Sequence, residues 1–125
     1  MARPLDDPDR IRHMLESAEK ALQLVKGKKQ TEFLQDEILQ LALSRLVEII
    51  GEAASRVTKV TRDRQQKIPW RDIIATRHRM VHDYYLVNVE VLWEIVKHDL
   101  RPLVNNLKQI LQPKLKRRPS PKPGS

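Results

Sequence analysis

The apolar residues of this chain recur at spacings of three and four, the rhythm of helices that bury one stripe, and the alternation of a half-buried strand is absent. In the first such stretch, Ile11, Met14, Leu15, Ala18, Leu22 and Val25 fall on one face, and Asp7 followed by Pro8 has the form of a cap and a first helical residue. A second helix is predicted from about Thr31 to about Lys59. Its apolar positions, Leu34, Ile38, Leu41, Ala42, Leu46, Ile49, Ile50, Ala53 and Val57, cover a broader arc, as a central helix packed on more than one side requires. Gly51, followed by Ala53 and Ala54, points to the close approach of another backbone; the alternative is a tolerated helix glycine costing about 1 kcal/mol relative to Ala.

A polar connection, TRDRQQKIP, leads to a third helix that starts near Pro69 or Trp70, runs through Ile73, Ile74, Arg77 and Val81, and reaches about His82. Asn88 is placed to cap a fourth, from Val89 to about Leu111, which Pro102 should kink or divide. The pattern predicts an all-α fold, an up-and-down bundle of four to five helices joined by short loops, over residues 1–112. No internal repeat is visible. Residues 113–125, PKLKRRPSPKPGS, carry four prolines and few apolar side chains, the composition of a disordered basic tail.

Charge changes this picture less than its total suggests. The formal net charge is +8, but Lys114, Lys116, Arg117, Arg118 and Lys122 lie in the tail, and setting those five aside takes +8 to +3. The tail could attract RNA through phosphates without reading sequence, or serve only as a solvated end. With no cysteine in 125 residues, disulfides, Cys-based zinc sites and thiol nucleophiles are excluded. No apolar run approaches the roughly 18 to 20 residues of a membrane span, and MARPLDDPDR lacks the apolar stretch of a secretory signal, so a cytoplasmic protein is expected.

Chemistry concentrates in "RHRMVHDYY", residues 77–85. Arg77 shares a stripe with Trp70, Ile74 and Val81, and a guanidinium on a buried stripe needs a partner or a phosphate. Arg77 and His82 are five positions apart, about 140° around an ideal helix. They converge on one ligand only if the helix ends between them or if two copies of the chain build the site. His78 and His82 have the i,i+4 spacing that can share a zinc ion, but a third ligand is needed. Glu94 and His98 are the nearest later candidates, and Arg77 and Arg79 would repel a cation. Alternatively, these cations only decorate a helix C-terminus, where positive charge is favoured.

Four segments together carry a resemblance: "LVEIIGEAASRV", "IPWRDII", "RHRMVHDYY" and "VNVEVLWEIVKHDLRPL". Over about residues 8 to 111 the chain resembles the HepT-like branch of the HEPN superfamily, small helical proteins of prokaryotic toxin-antitoxin pairs. The resemblance implies a homodimeric, metal-independent endoribonuclease with no cofactor, the toxin of a type VII-like HEPN/MNT pair, cleaving tRNA or mRNA. The family signature of arginine, four to six residues, histidine and a tyrosine two further on falls at Arg77, His82 and Tyr84. Arg77 and His82 are the implied catalytic residues, with His78, Arg79 and Asp83 as support or RNA contacts. Position 78 commonly holds another polar residue in the family. The resemblance also implies that a minimal nucleotidyltransferase antitoxin transfers AMP to Tyr84, with Tyr85 adjacent.

The residue types suit that reaction. Metal-free RNA cleavage needs a base for the 2′-hydroxyl, an acid for the leaving 5′-oxygen and a cation for the phosphorane. One motif histidine per chain is too few, and a two-fold dimer would supply His82 and Arg77 twice. Lys26, Lys28 and Lys29, and the group Arg56, Lys59, Arg62 and Arg64, could flank RNA or be ordinary solvated surface. Trp70 and Trp93 sit in apolar helical patterns and are assigned to the core; His13 and His98 are read as surface or local hydrogen-bonding residues. The competing class is a non-catalytic helical module that binds a nucleotidyltransferase or nucleic acid.

Overall fold

The computed structural model describes residues 4–82, with the backbone alone for 80–82, and residues 88–112. Among the described residues there is no strand, and the helices are α1 (Asp7–Val25), α2 (Gln30–Leu34), α3 (Glu37–Arg56), α4 (Lys59–Arg64), α5 (Trp70–His82), α6 (Val89–Glu94) and α7 (Leu100–Leu111), with a π-helical turn, Ile95–Asp99, joining the last two. Helix α3 is central, packed by α1 and α5, while α7 closes on α1. The bundle core joins Ile11, Met14 and Ala18 of α1 to Leu43, Ile50 and Ala54 of α3 and Leu103 and Leu107 of α7.

Helix α1 begins one residue earlier than its cap signal implies. Asp6, not Asp7, is the cap: its carboxylate accepts from Asp9 N–H at 3.0 Å, and Asp9 accepts in return from Asp6 N–H at 3.1 Å. That releases Asp7 for a distant bond. Its carboxylate accepts from Thr58 N–H at 3.0 Å, from the Thr58 hydroxyl at 2.6 Å, and from the Thr61 hydroxyl. Thr58 is the N-cap of α4, so α1 pins the start of α4.

The long second helix is two helices, α2 and α3, and ends at Arg56. The break at 35–36 is stabilised locally, because Asp36 caps α3 through Leu39 N–H at 3.0 Å and Gln40 donates from Nε2 to the carbonyls of Phe33 and Leu34 that end α2. Part of the expected polar connection is itself helical, as α4. The buried arc of α3 also differs: Leu39, Leu43, Leu46, Val47, Ile50, Gly51, Ala53 and Ala54 face neighbours, whereas Ile38 is 80% and Leu41 64% exposed.

Helix α5 and the Asn88 cap follow expectation, the latter accepting from Glu90 and Val91 N–H at 2.9 and 3.1 Å. The last helix is divided, but at the π turn upstream of Pro102 rather than at the proline. A proline ring crowds the carbonyl four residues back, here His98, and the wider turn lies where that crowding falls. Trp70 and Trp93 are core residues, 8% and 6% exposed, and Trp93 lies against Phe33 with ring centroids 5.1 Å apart. The tail, 113–125, lies outside the described residues.

Candidate active site

Helix α5 positions the motif, and its start is fixed by tertiary contacts. Pro69 precedes it, Trp70 is buried, and the indole Nε1 donates to the Gln65 carbonyl at 3.0 Å. Asp72 in the first turn complements the helix dipole. From there the helix lies so close on α3 that a Cβ placed on Gly51 would stand 2.1 Å from Arg77 Cβ, 2.8 Å from Arg77 Cγ and 3.1 Å from the Ile73 carbonyl oxygen. The close approach expected at Gly51 is real, and its partner is the motif arginine.

Arg77 is half-buried, and among the described residues its enclosed Nε has no hydrogen-bond partner. An enclosed donor without an acceptor costs roughly 1–3 kcal/mol, a cost that an anionic oxygen brought by a ligand removes. The stem is therefore anchored in the helix contact while the guanidinium retains unused donor capacity. His78 and Arg79 are exposed and face a groove between α4 and α5.

Helix α5 runs without interruption from Trp70 to His82. Positions 77 and 82 thus stay about 140° apart around one axis. Asp83, Tyr84 and Tyr85 lie outside the described residues, as does the His82 side chain. Glu94 and His98, the later candidates for a metal set, face each other with Nε2 3.1 Å from Oε1 on an exposed surface. His13 is exposed too, as assigned. Among the described residues no three His, Cys, Asp or Glu side chains are grouped to hold a metal ion.

The basic clusters separate on folding. Lys26, Lys28 and Lys29 lie in the α1–α2 connection, turned by Gly27 at φ +76°, while Lys59, Arg62 and Arg64 ride on α4. Arg71 was not singled out from sequence, although positions 71, 75 and 78 share one face of a helix, which was the available signal. Among the described residues, Arg62 likewise has an enclosed Nε without a partner.

A helical protein that holds arginine donors unpartnered beside an open cationic groove is suited to a polyanion. Known proteins narrow the class. Residues 14–110 match the family described as Ribonuclease HepT-like, and the chain belongs to this HepT-like ribonuclease family. It is 34% identical over 102 residues to a protein of Caldanaerobacter subterraneus subsp. tengcongensis described as a candidate RNase, covering 82% of this chain and 91% of the relative. It is 35% identical over 79 residues to a protein of Thermococcus cleftensis described as a probable ribonuclease HepT, covering 63% and 72%. A candidate RNase of Methanocaldococcus jannaschii is 31% identical over 87 residues, 70% and 80% of the two chains. No solved structure matches the chain. The family is one of ribonucleases, which implies RNA as substrate; no described helix is long and apolar enough to cross a membrane.

Proposed function

We propose that this protein is the toxin of a HEPN/MNT toxin-antitoxin pair, a homodimeric, metal-independent endoribonuclease acting on cytoplasmic tRNA or mRNA. The observation that carries the reading is the enclosed, unpartnered Nε of Arg77 at the first position of the motif, a donor that awaits an anionic oxygen. The continuity of α5 through His82 supports the dimer. With no helix end between them, Arg77 and His82 would reach one phosphate where two copies of α5 meet across a two-fold axis.

In that cleft one His82 takes the proton of the 2′-hydroxyl, and the 2′-oxygen attacks the adjacent phosphorus. The protonated His82 of the second copy gives its proton to the 5′-oxygen as the P–O5′ bond breaks. Arg77 holds the non-bridging oxygens as their charge grows. The products are a 2′,3′-cyclic phosphate and a 5′-hydroxyl. His78, Arg79 and Asp83 flank the phosphate or the bases beside it.

Regulation falls to Tyr84. A cognate minimal nucleotidyltransferase transfers AMP from ATP to its hydroxyl and releases pyrophosphate, which fills the cleft with a phosphodiester that competes for Arg77. Peptide mass mapping after incubation with the partner and Mg-ATP should place the added AMP on Tyr84 rather than Tyr85; no adduct in an active transfer reaction would overturn this step.

The ribonuclease itself is tested by cleavage of end-labelled tRNA and mRNA in EDTA, wild type beside His82→Ala. Wild type alone should cut, leaving the cyclic phosphate, and the variant should lose on the order of 10² to 10⁴ in rate. No cleavage by a folded, unmodified wild-type dimer would replace the enzyme with a binding module.

A further inference from the structure

Beside the motif, α4 and α5 flank an open groove of about 910 Å³. Lys59 and Arg62 stand on its α4 wall and Arg71, His78 and Arg79 on its α5 wall, above an apolar floor that includes Ile74 and Ala75. Its single carboxylate, Asp63, is engaged by Lys59 at 2.8 Å. Among the described residues no carboxylate lies within ion-pair distance of Arg62, Arg71 or Arg79, and Arg62 Nε is enclosed without an acceptor.

From this arrangement we infer that the α4–α5 groove is a track for the RNA backbone, carrying the strand along α5 toward the motif. The inference rests on the ribonuclease reading and extends it to where the substrate lies outside the reacting phosphate. Cations on both walls over an apolar floor suit a single strand whose phosphates run along the rims. Trp70 borders the groove but is buried with its indole N–H bonded to Gln65, so it offers no stacking platform. The track therefore reads phosphate and not base, and adds affinity without sequence preference.

Both walls are fixed before RNA arrives. Helix α5 is seated on Gly51, and α4 is held at its first turn by the bonds from Thr58 and Thr61 to Asp7. The lysines of the α1–α2 connection have no such setting: the groove nearest them, lined by Lys26, contains Glu19, and no part of it belongs to α5. They provide a charge-matched control.

The experiment measures binding of a fluorescent single-stranded RNA, 2′-O-methylated throughout so that it cannot be cut, as a function of salt. Wild type is compared with Arg62→Gln/Arg71→Gln and with Lys26→Gln/Lys28→Gln. The groove variant should bind at least tenfold more weakly in oligo-U and mixed sequence alike, with a log Kd against log salt slope shallower by about 1.4, the expectation for two lost phosphate contacts on a single strand. The lysine control should match wild type. Arg71→Gln alone, at an exposed position, gives half the slope change should Arg62→Gln perturb α4.

Equal binding by wild type and the groove variants, with wild type still cutting unmodified RNA in EDTA, would remove the track and leave the ribonuclease standing. Equal losses in groove variant and lysine control would reduce the groove to general charge and overturn the inference. Intact RNA binding with weakened binding of the nucleotidyltransferase would reassign the groove to the partner. Wild type that neither binds nor cuts would overturn the ribonuclease reading and the track with it.

Discussion

Gly51 and Arg77 meet where α3 crosses α5, and the meeting leaves no room for even a methyl group: a Cβ at 51 would sit 2.1 Å from that of Arg77. The motif arginine is thus held by its stem against a bare stretch of backbone, while its head keeps a donor unused. Gly51→Ala should move the two helices apart. A helix alanine is intrinsically favoured by about 1 kcal/mol, but overpacking of this kind costs about 1–3 kcal/mol, and here the clash is with the base of a side chain, which cannot swing away. A net loss of stability, seen as a melting temperature lower by several degrees, should accompany a fall in RNA cleavage measured at a temperature where the variant is fully folded.

Replacing the arginine itself should separate stability from activity. Arg77→Met keeps the buried stem and deletes an enclosed donor that has no acceptor, so thermal unfolding should show no loss of stability and a gain of up to about 1 kcal/mol. Cleavage should drop by about 10² to 10³, the effect of removing one donor to a developing oxyanion. A destabilised Arg77→Met protein would mean that the guanidinium supports the fold rather than awaiting a ligand.

A shared cleft makes a further claim about mixed dimers. Co-expression of wild type and His82→Ala under different tags yields a heterodimer with one motif histidine. If base and acid are the two copies of His82, this species should have a small fraction of wild-type rate. Half the wild-type rate would instead mean that each chain holds a complete, independent site.

Acid should loosen the α1–α4 junction. Burial raises the pKa of Asp7, but the hydrogen bonds from the Thr58 hydroxyl, the Thr61 hydroxyl and the Thr58 N–H together outweigh it and leave the carboxyl below its ordinary value. A carboxyl depressed in the folded state contributes stability above its unfolded pKa, near pH 4, and loses it as pH falls through the folded value. Asp7→Asn should therefore cost about 1 kcal/mol near neutral pH. The gap to wild type in chemical denaturation should close below about pH 4; a gap that stays constant there would remove the charge of Asp7 from the account.

What could be read in advance was what short-range signals encode. Asn88 caps the residues that follow it, α5 begins just after Pro69, and the stripe of α1 repeats within single turns. The split of the second helix escaped because Gln40 secures it by reaching back to Phe33 and Leu34, a use of glutamine that no periodicity reveals. Helix α4 escaped because its cap is anchored by a residue 51 positions earlier. Ile38 and Leu41 look like core in a helical projection, yet which side of α3 is covered depends on where α1 and α5 settle. At the site, Gly51 announced a close approach without naming Arg77 as its other half.

The bonds between Asp7 and Thr58 also tie the two ends of a long stretch of chain, so that a wall of the groove is steered from far away in sequence. Whatever disturbs Asp7, whether a fused peptide or a charge placed beside it, should reach Lys59 and Arg62 through the first turn of α4. On the proposed track, the grip on a nucleic acid strand is then set partly at Asp7, 51 positions before Thr58, and a tag attached beside Asp7 should change substrate affinity.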